Sequence, residues 1–314
     1  MRKIQIATTN DKMLTEAFED FIRHKKISNL SSETIRYYND CYKMFCHFHN
    51  PTSLCNTITL DVIERYTEFL QNKNIVDVTV NSYLRGLRAI VYYFMERGYV
   101  HEFSIKLIRF NKKIKETYTN EELDILLKKP NLKTCAFTEF RSWVMINYLL
   151  GTGNRLSTMT SVKCGDIDFG NNVIRLTKVK NRKEQIIPLS STLREILKEY
   201  LFYRKGNDED YLFSTIYGEG MTKSGVTTAI VAYNTKRGVT KHSIHLFRHT
   251  FAKLWILNGG DIFRLQKILG HSSIDIVKEY VNMFSSDLQV DFDQFNPLES
   301  IYVKNKRNPT IKMR

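Results

Sequence analysis

The chain has 314 residues, 42% hydrophobic and 12% aromatic, which gives room for about two cored domains and excludes wholesale disorder. Forty-seven Lys and Arg against 33 Asp and Glu give +14 and a pI near 9.4, a balance that suits a polyanion but also fits an ordinary protein from a lysine-rich proteome. Cys41, Cys46, Cys55, Cys135 and Cys164 are scattered and lack a CxxC, which excludes a zinc knuckle or disulfide framework and points to a reducing compartment.

The first residues, MRKIQIATTNDKM, are not followed by a signal-peptide apolar run, and no window approaches the roughly 18 apolar residues of a membrane span. No membrane partner is expected, and the location expected is cytoplasmic and nucleoid-associated.

Residues 11–98 read as helices throughout. One helix runs from Asp11 through LTEAFEDFIRHKK, a second follows the Ser31-Ser32 start signal, and DVIERYTEFLQN (61–72) makes a third. In TVNSYLRGLRAIVYYFMERG (79–98), Val80, Tyr83, Leu84, Leu87, Ile90, Val91 and Phe94 form one apolar stripe. Asn81, Arg85, Arg88 and Tyr92 form a separate stripe about a third of a turn round. That second stripe is either a solvated flank or, because Asn and Arg reach bases and phosphates, a face for the DNA major groove.

The segment IKLIRFNKKIKETY (105–118) loses the helical pattern and carries five Lys or Arg against Glu116, which suits a basic linker. Thr119-x-x-Glu122 is a capping box that opens a helical stretch reaching about Leu150. Strands are expected at Ile167–Phe169, Val173–Thr177 and Gln185–Leu189, with a Gly170-Asn171-Asn172 turn and a lysine-rich turn between them. Thr192-x-x-Glu195 predicts another helix start, and helices with short loops follow to about Ser285.

Four separated pieces carry candidate chemistry: GTGNRLST (151–158), KVKNRKE (178–184), HLFRHTFA (245–252) and LGHSSIDIVKEY (269–280). Each alone has a plain structural reading, as a surface charge, a helix cap or one packing tyrosine among 17. Together, in this order, they resemble the tyrosine recombinase (phage integrase) family over roughly Asp11 to Ser285. The shared features are an early Arg, a Lys in a hairpin turn, H-x-x-R-H-T-F-A, and L-G-H with a Tyr nine residues after its His.

The resemblance implies a catalytic set of Arg155, Lys180, His245, Arg248, His271 and the nucleophile Tyr280. Tyr280 would attack a DNA phosphate and store the bond as a 3′-phosphotyrosyl link, so neither cofactor nor metal is expected. Arg155 and Arg248 suit the phosphorane because a guanidinium offers two parallel donors where Lys offers a point charge. By the same resemblance, Lys180, rather than its neighbours Lys178 and Lys183, protonates the leaving oxygen, while His245 and His271 bond the phosphate. His249 reads as structural. Thr158 stands where the family commonly has Glu, which puts rate rather than mechanism in question.

The fold expected is mainly α with a small antiparallel sheet, in two domains that form a C-shaped clamp on duplex DNA. A helical DNA-binding domain spans 11–105, a basic linker 106–118, an α+β catalytic domain 119–285, and a tail 286–314 that would dock on a neighbouring protomer. With about ten residues ahead of the first helix, the resemblance is to compact, Xer-like or transposon-type members. It implies a homotetramer on two specific recombination sites, a Holliday junction, and room for an accessory DNA-bending or directionality factor. The alternatives weighed are a type IB topoisomerase and a non-catalytic DNA-binding regulator.

Overall fold

Helix signals fill the first hundred residues, and strand signals appear only after Gly165. The computed structural model describes residues 12–110, 116–176, 184–270, 273, 274, 278 and 280. The chain forms two compact units, one ending at Lys113 and the other beginning at Ile114. The expected tail, 286–314, lies outside the described residues.

Among the described residues, the first unit has four α-helices, α1 (Leu14–Ile27), α2 (Ser32–Cys46), α3 (Leu60–Gln71) and α4 (Asp77–Glu96). The Ser31 start signal works physically, and a second cap appears at Thr59. Ser31 accepts a hydrogen bond from the Thr34 amide, and Thr59 accepts one from that of Val62, each satisfying a donor left open by the first helical turn. The apolar stripe of α4 goes inward: Val80, Leu84, Leu87, Ile90, Val91 and Phe94 are buried beside Phe21, Phe45, Tyr66 and Leu70. At Gly86 an added methyl would run into Cys41 Sγ, so glycine is what lets α2 and α4 approach this closely.

One member of the candidate DNA stripe does not behave as expected. Asn81 is only 1% exposed, and its amide donates to the Ile108 carbonyl at 2.9 Å and accepts from the Ile108 amide at 3.0 Å. It pins the chain after α4 instead of facing outward, so it is withdrawn as a DNA contact. Arg85 is exposed and Arg88 half-buried, while the Tyr92 hydroxyl is occupied by the Ile105 amide at 3.2 Å. The segment read as linker is therefore ordered at its start, where Leu107 and Ile108 pack on the first core.

The second unit starts with α5 (Asn120–Leu127), opened by a complete Thr119/Glu122 capping box. It continues through α6 (Phe137–Thr152), α7 (Leu156–Met159), strands β1 (Ile167–Asp168), β2 (Val173–Leu176) and β3 (Gln185–Pro188), then α8 (Ser191–Arg204), α9 (Lys223–Lys236), α10 (His245–Leu257) and α11 (Ile262–Leu269). The three strands pair antiparallel in sequence order, with Leu176 opposite Gln185 at the end where the lysine-rich turn begins. α6 is apolar nearly all round and sits in the core. Its Val144, Met145, Ile146 and Tyr148 are buried with Ile174 and Ile187 of the sheet, Tyr200 of α8, Ile230 of α9 and Phe247 of α10.

The start of α8 corrects a second expectation. Its cap is Ser190, whose side chain accepts from the Leu193 amide at 3.3 Å, so the helix begins ahead of Thr192. The hydroxyl that meets an amide three residues on wins, and Ser190 reaches it first.

These packing assignments separate two kinds of polar residue on α4. Asn81→Ala should destabilise the first unit by about 1–3 kcal/mol, because it strips both partners from a part-buried backbone segment. Arg85→Ala should stay within about 0.5 kcal/mol of wild type. Urea unfolding of the full chain measures both, and an Asn81→Ala curve overlying wild type would contradict the pinning role.

Candidate active site

The site is built where three helix ends meet. α6 is closed by Gly153, whose backbone is left-handed (φ 62°) and whose N–H donates a hydrogen bond to the Leu149 carbonyl. An added Cβ there would come within 2.6 Å of Phe251 and 2.8 Å of Leu269, so the position is restricted both by backbone and by space. The chain then runs through Asn154, whose amide donates to the Tyr148 hydroxyl at 2.7 Å, and presents Arg155 as the N-cap residue of α7.

α10 supplies a row of polar groups by its own geometry. His245, Arg248 and His249 stand at i, i+3 and i+4, and therefore on one face. The helix is held by Thr250, whose hydroxyl accepts from the Tyr118 amide at 2.9 Å, and by Phe247, buried against the Tyr118 ring. Thus Tyr118, at the end of the expected linker, is part of the second unit's core.

Arg248 is buried (6% exposed), and its fork is set by two backbone carbonyls. It donates to Gly153 O and to Leu269 O, each at 2.8 Å, and Arg155 reaches the same Leu269 carbonyl at 3.4 Å. Those carbonyls are the exposed acceptors at the ends of α6 and α11, so one side chain ties two helix termini to α10. Neutral acceptors orient the guanidinium without cancelling its charge. Burial first, and then the neighbouring charge of Arg155, push the Arg248 pKa down to about 10, which leaves it protonated at neutral pH.

α11 is positioned from the sheet. The Gln185 side chain on β3 donates to Lys267 O at 2.7 Å and Ile268 O at 2.6 Å, satisfying two carbonyls of the last turn before Gly270. Tyr280 is 2% exposed and packs with Ala252, Leu265 and Leu269. Its hydroxyl lies 2.7 Å from His249 Nδ1. The electrostatic influence of Tyr280 is felt by both Arg155 and Arg248, favouring their charged forms.

His245 sits at the start of α10 with its ring exposed. Partial desolvation, then the charges of Arg248 and Arg155, hold its pKa below the ordinary histidine value. That favours the neutral ring, which has one N–H to donate.

The structure therefore brings Arg155, His245, Arg248 and Tyr280 together from three of the four sequence pieces. Lys180 and His271 lie outside the described residues. Thr158 is buried at 5% exposure, where a hydroxyl is far cheaper to enclose than a carboxylate. The contact between His249 and Tyr280 had a sequence signal, the i, i+3, i+4 row on α10, that the structural reading of His249 passed over.

Two family models match the chain in succession: a phage integrase SAM-like domain over residues 13–114 and the phage integrase family over residues 116–286. The chain belongs to the phage integrase family. It is a tyrosine-type site-specific DNA recombinase. Among related proteins, tyrosine recombinase XerD of Oceanobacillus iheyensis is 24% identical, the match covering 91% of this chain and 99% of that one. Tyrosine recombinase XerC of Chlamydia caviae is 26% identical over 72% of this chain and 74% of its own length. The fold is that of the Tn1549 transposon integrase solved with a circular intermediate DNA, at TM-score 0.72, 18% identity, and coverage of 93% of this chain and 99% of that one. A lambda integrase tetramer bound to a Holliday junction matches at TM-score 0.69 and 14% identity, covering 88% and 79% of the respective chains.

The electrostatic link between the arginines and His245 can be read in solution. In Arg155→Ala, NMR titration should show the His245 pKa rising from its wild-type value, because one of two repelling charges is gone. A pKa unchanged or lower in that variant would mean that Arg155 stands elsewhere.

Proposed function

We propose that this recombinase cuts and rejoins duplex DNA at a specific site with Tyr280 as nucleophile, Arg155 and Arg248 as the clamp on the scissile phosphate, and His245 as a neutral donor to it. The observation that carries this reading is the gathering of Arg155 and Arg248 near one buried tyrosine, with His245 beside the two arginines.

The chemistry is a transesterification. The Tyr280 oxygen attacks phosphorus, the bond to the 5′ oxygen breaks, and a 3′-phosphotyrosyl link conserves the bond energy for rejoining. An in-line phosphorane concentrates negative charge on its equatorial oxygens. Guanidinium groups fixed before the reaction, in a site that partly excludes water, need no reorganisation as that charge develops, and such donors are typically worth about 3–4 kcal/mol each. Lys180 remains our choice for the acid that protonates the leaving 5′ oxygen, and His271 for a second imidazole on the phosphate.

Recognition follows from charge and modularity. A net +14 favours a polyanion, and Arg85 and Arg88 on α4 are the side chains we assign to DNA in the first unit. Assembly as a homotetramer on two sites, through a Holliday junction, is supported by the fold shared with the lambda integrase tetramer. No helix among the described residues is long and apolar enough to cross a membrane. That is compatible with a cytoplasmic enzyme working on the nucleoid.

The test is covalent trapping on a nicked suicide substrate. Wild type should yield a denaturant-stable protein–DNA adduct, and Tyr280→Phe should bind the same DNA and yield none. Arg155→Ala and Arg248→Ala should each slow cleavage at least about 100-fold. An adduct persisting in Tyr280→Phe, or arginine variants within tenfold of wild type, would contradict the assignment.

A further inference from the structure

We propose that His249 is the group that takes the phenolic proton from Tyr280 as it attacks the phosphate, an inference that rests on Tyr280 being the nucleophile. The sequence motif gives His249 no role beyond packing. The structure puts its Nδ1 2.7 Å from the Tyr280 oxygen, within the distance at which proton transfer needs no intervening water. The two rings meet at 5.6 Å between centroids and 48° between planes, a tilted approach that brings the ring edge to the hydroxyl rather than stacking the faces.

The proton has a defined course. Neutral His249, carrying its hydrogen on Nε2, accepts the Tyr280 hydrogen bond at Nδ1. As the tyrosine oxygen–phosphorus bond forms, the phenolic proton moves to Nδ1. The bond from phosphorus to the 5′ oxygen then breaks, and that oxygen takes a proton from the acid on the leaving side. On rejoining, the imidazolium returns its proton to Tyr280 when the tyrosine oxygen departs.

The surroundings make this base conditional on substrate. Both Arg155 and Arg248 feel the charge of Tyr280, so a phosphate anion held by the two guanidinium groups would lie close to the tyrosine oxygen that His249 contacts. Proton transfer becomes favourable as negative charge builds on the phosphorane. A tyrosine left as phenol in the absence of DNA is also protected from reacting at other phosphates. His249 is half-buried and Tyr280 2% exposed, so bulk water is a poor competitor for the proton.

The test separates holding a hydroxyl from removing its proton. His249→Asn keeps a hydrogen-bonding atom near the Nδ1 position but has no useful basicity. Full-length His249→Asn should bind its DNA site as wild type does and cleave the suicide substrate about 100-fold to 10,000-fold more slowly. Placing 3,5-difluorotyrosine at position 280 lowers the acidity barrier of the phenol, and should restore at least about tenfold of that loss in His249→Asn while changing wild type far less. His249→Asn cleaving within about threefold of wild type, or no gain from the fluorinated residue, overturns the proposal. Tyr280→Phe run alongside keeps the two readings apart. If it still formed an adduct, the nucleophile would be wrong; if it formed none while His249→Asn cleaved normally, only the base would be wrong. Should His249→Asn not fold, nitrogen-15 histidine NMR of the DNA-free wild type decides: the proposal requires neutral His249 protonated on Nε2, and a hydrogen on Nδ1 overturns it.

Discussion

The bond pair made by Arg248 organises the catalytic unit. Its guanidinium is buried and donates to the Gly153 and Leu269 carbonyls at the ends of α6 and α11, with Arg155 sharing the second of these. A charge this enclosed tolerates few geometries, because losing either acceptor would leave buried donors unsatisfied. Several features of the sequence then follow. Gly153 must be glycine, since a side chain would strike Phe251 and Leu269, and α11 must end where the Gln185 amide can satisfy its last carbonyls.

The same arrangement keeps the site electrostatically tense. Burial and then the charge of Arg155 lower the Arg248 pKa, burial and then both arginines lower that of His245, and the carbonyls that hold Arg248 add no negative charge. Such a site suits an anion, and under the proposed transesterification the repulsion relieved would be largest at the phosphorane, where the charge on the phosphate is largest. The first unit follows a different logic. Its core of helices, closed at Gly86 and pinned by Asn81, is neutral inside and carries its basic residues outside.

Much of this was legible in the residues. Period located α1 to α5 closely, and the caps Ser31 and Thr119 were readable because each acts on an amide only three residues away. The strands were also readable from alternation around Gly170, with Ile174 and Leu176 inward and Arg175 outward. The order of the four motifs pointed to Arg155, His245, Arg248 and Tyr280 as candidates, and the fold draws these four into one neighbourhood. What failed depended on distant partners. Nothing near Asn81 in the chain announces Ile108, which lies 27 residues on and turns a candidate DNA contact into a structural pin. Likewise His249 meets Tyr280 across 31 residues, and only the shared face of α10 hinted at it. Ser190 outcompeted Thr192 by a local margin that pattern alone does not resolve.

The central claim is that one tyrosine among 17 carries the DNA. The most direct measurement is mass spectrometry of the trapped protein–DNA adduct after nuclease trimming and proteolysis. The account predicts a nucleotide remnant on the peptide containing Tyr280, joined through its phenolic oxygen, with every other tyrosine unmodified. A remnant on any other residue would contradict it.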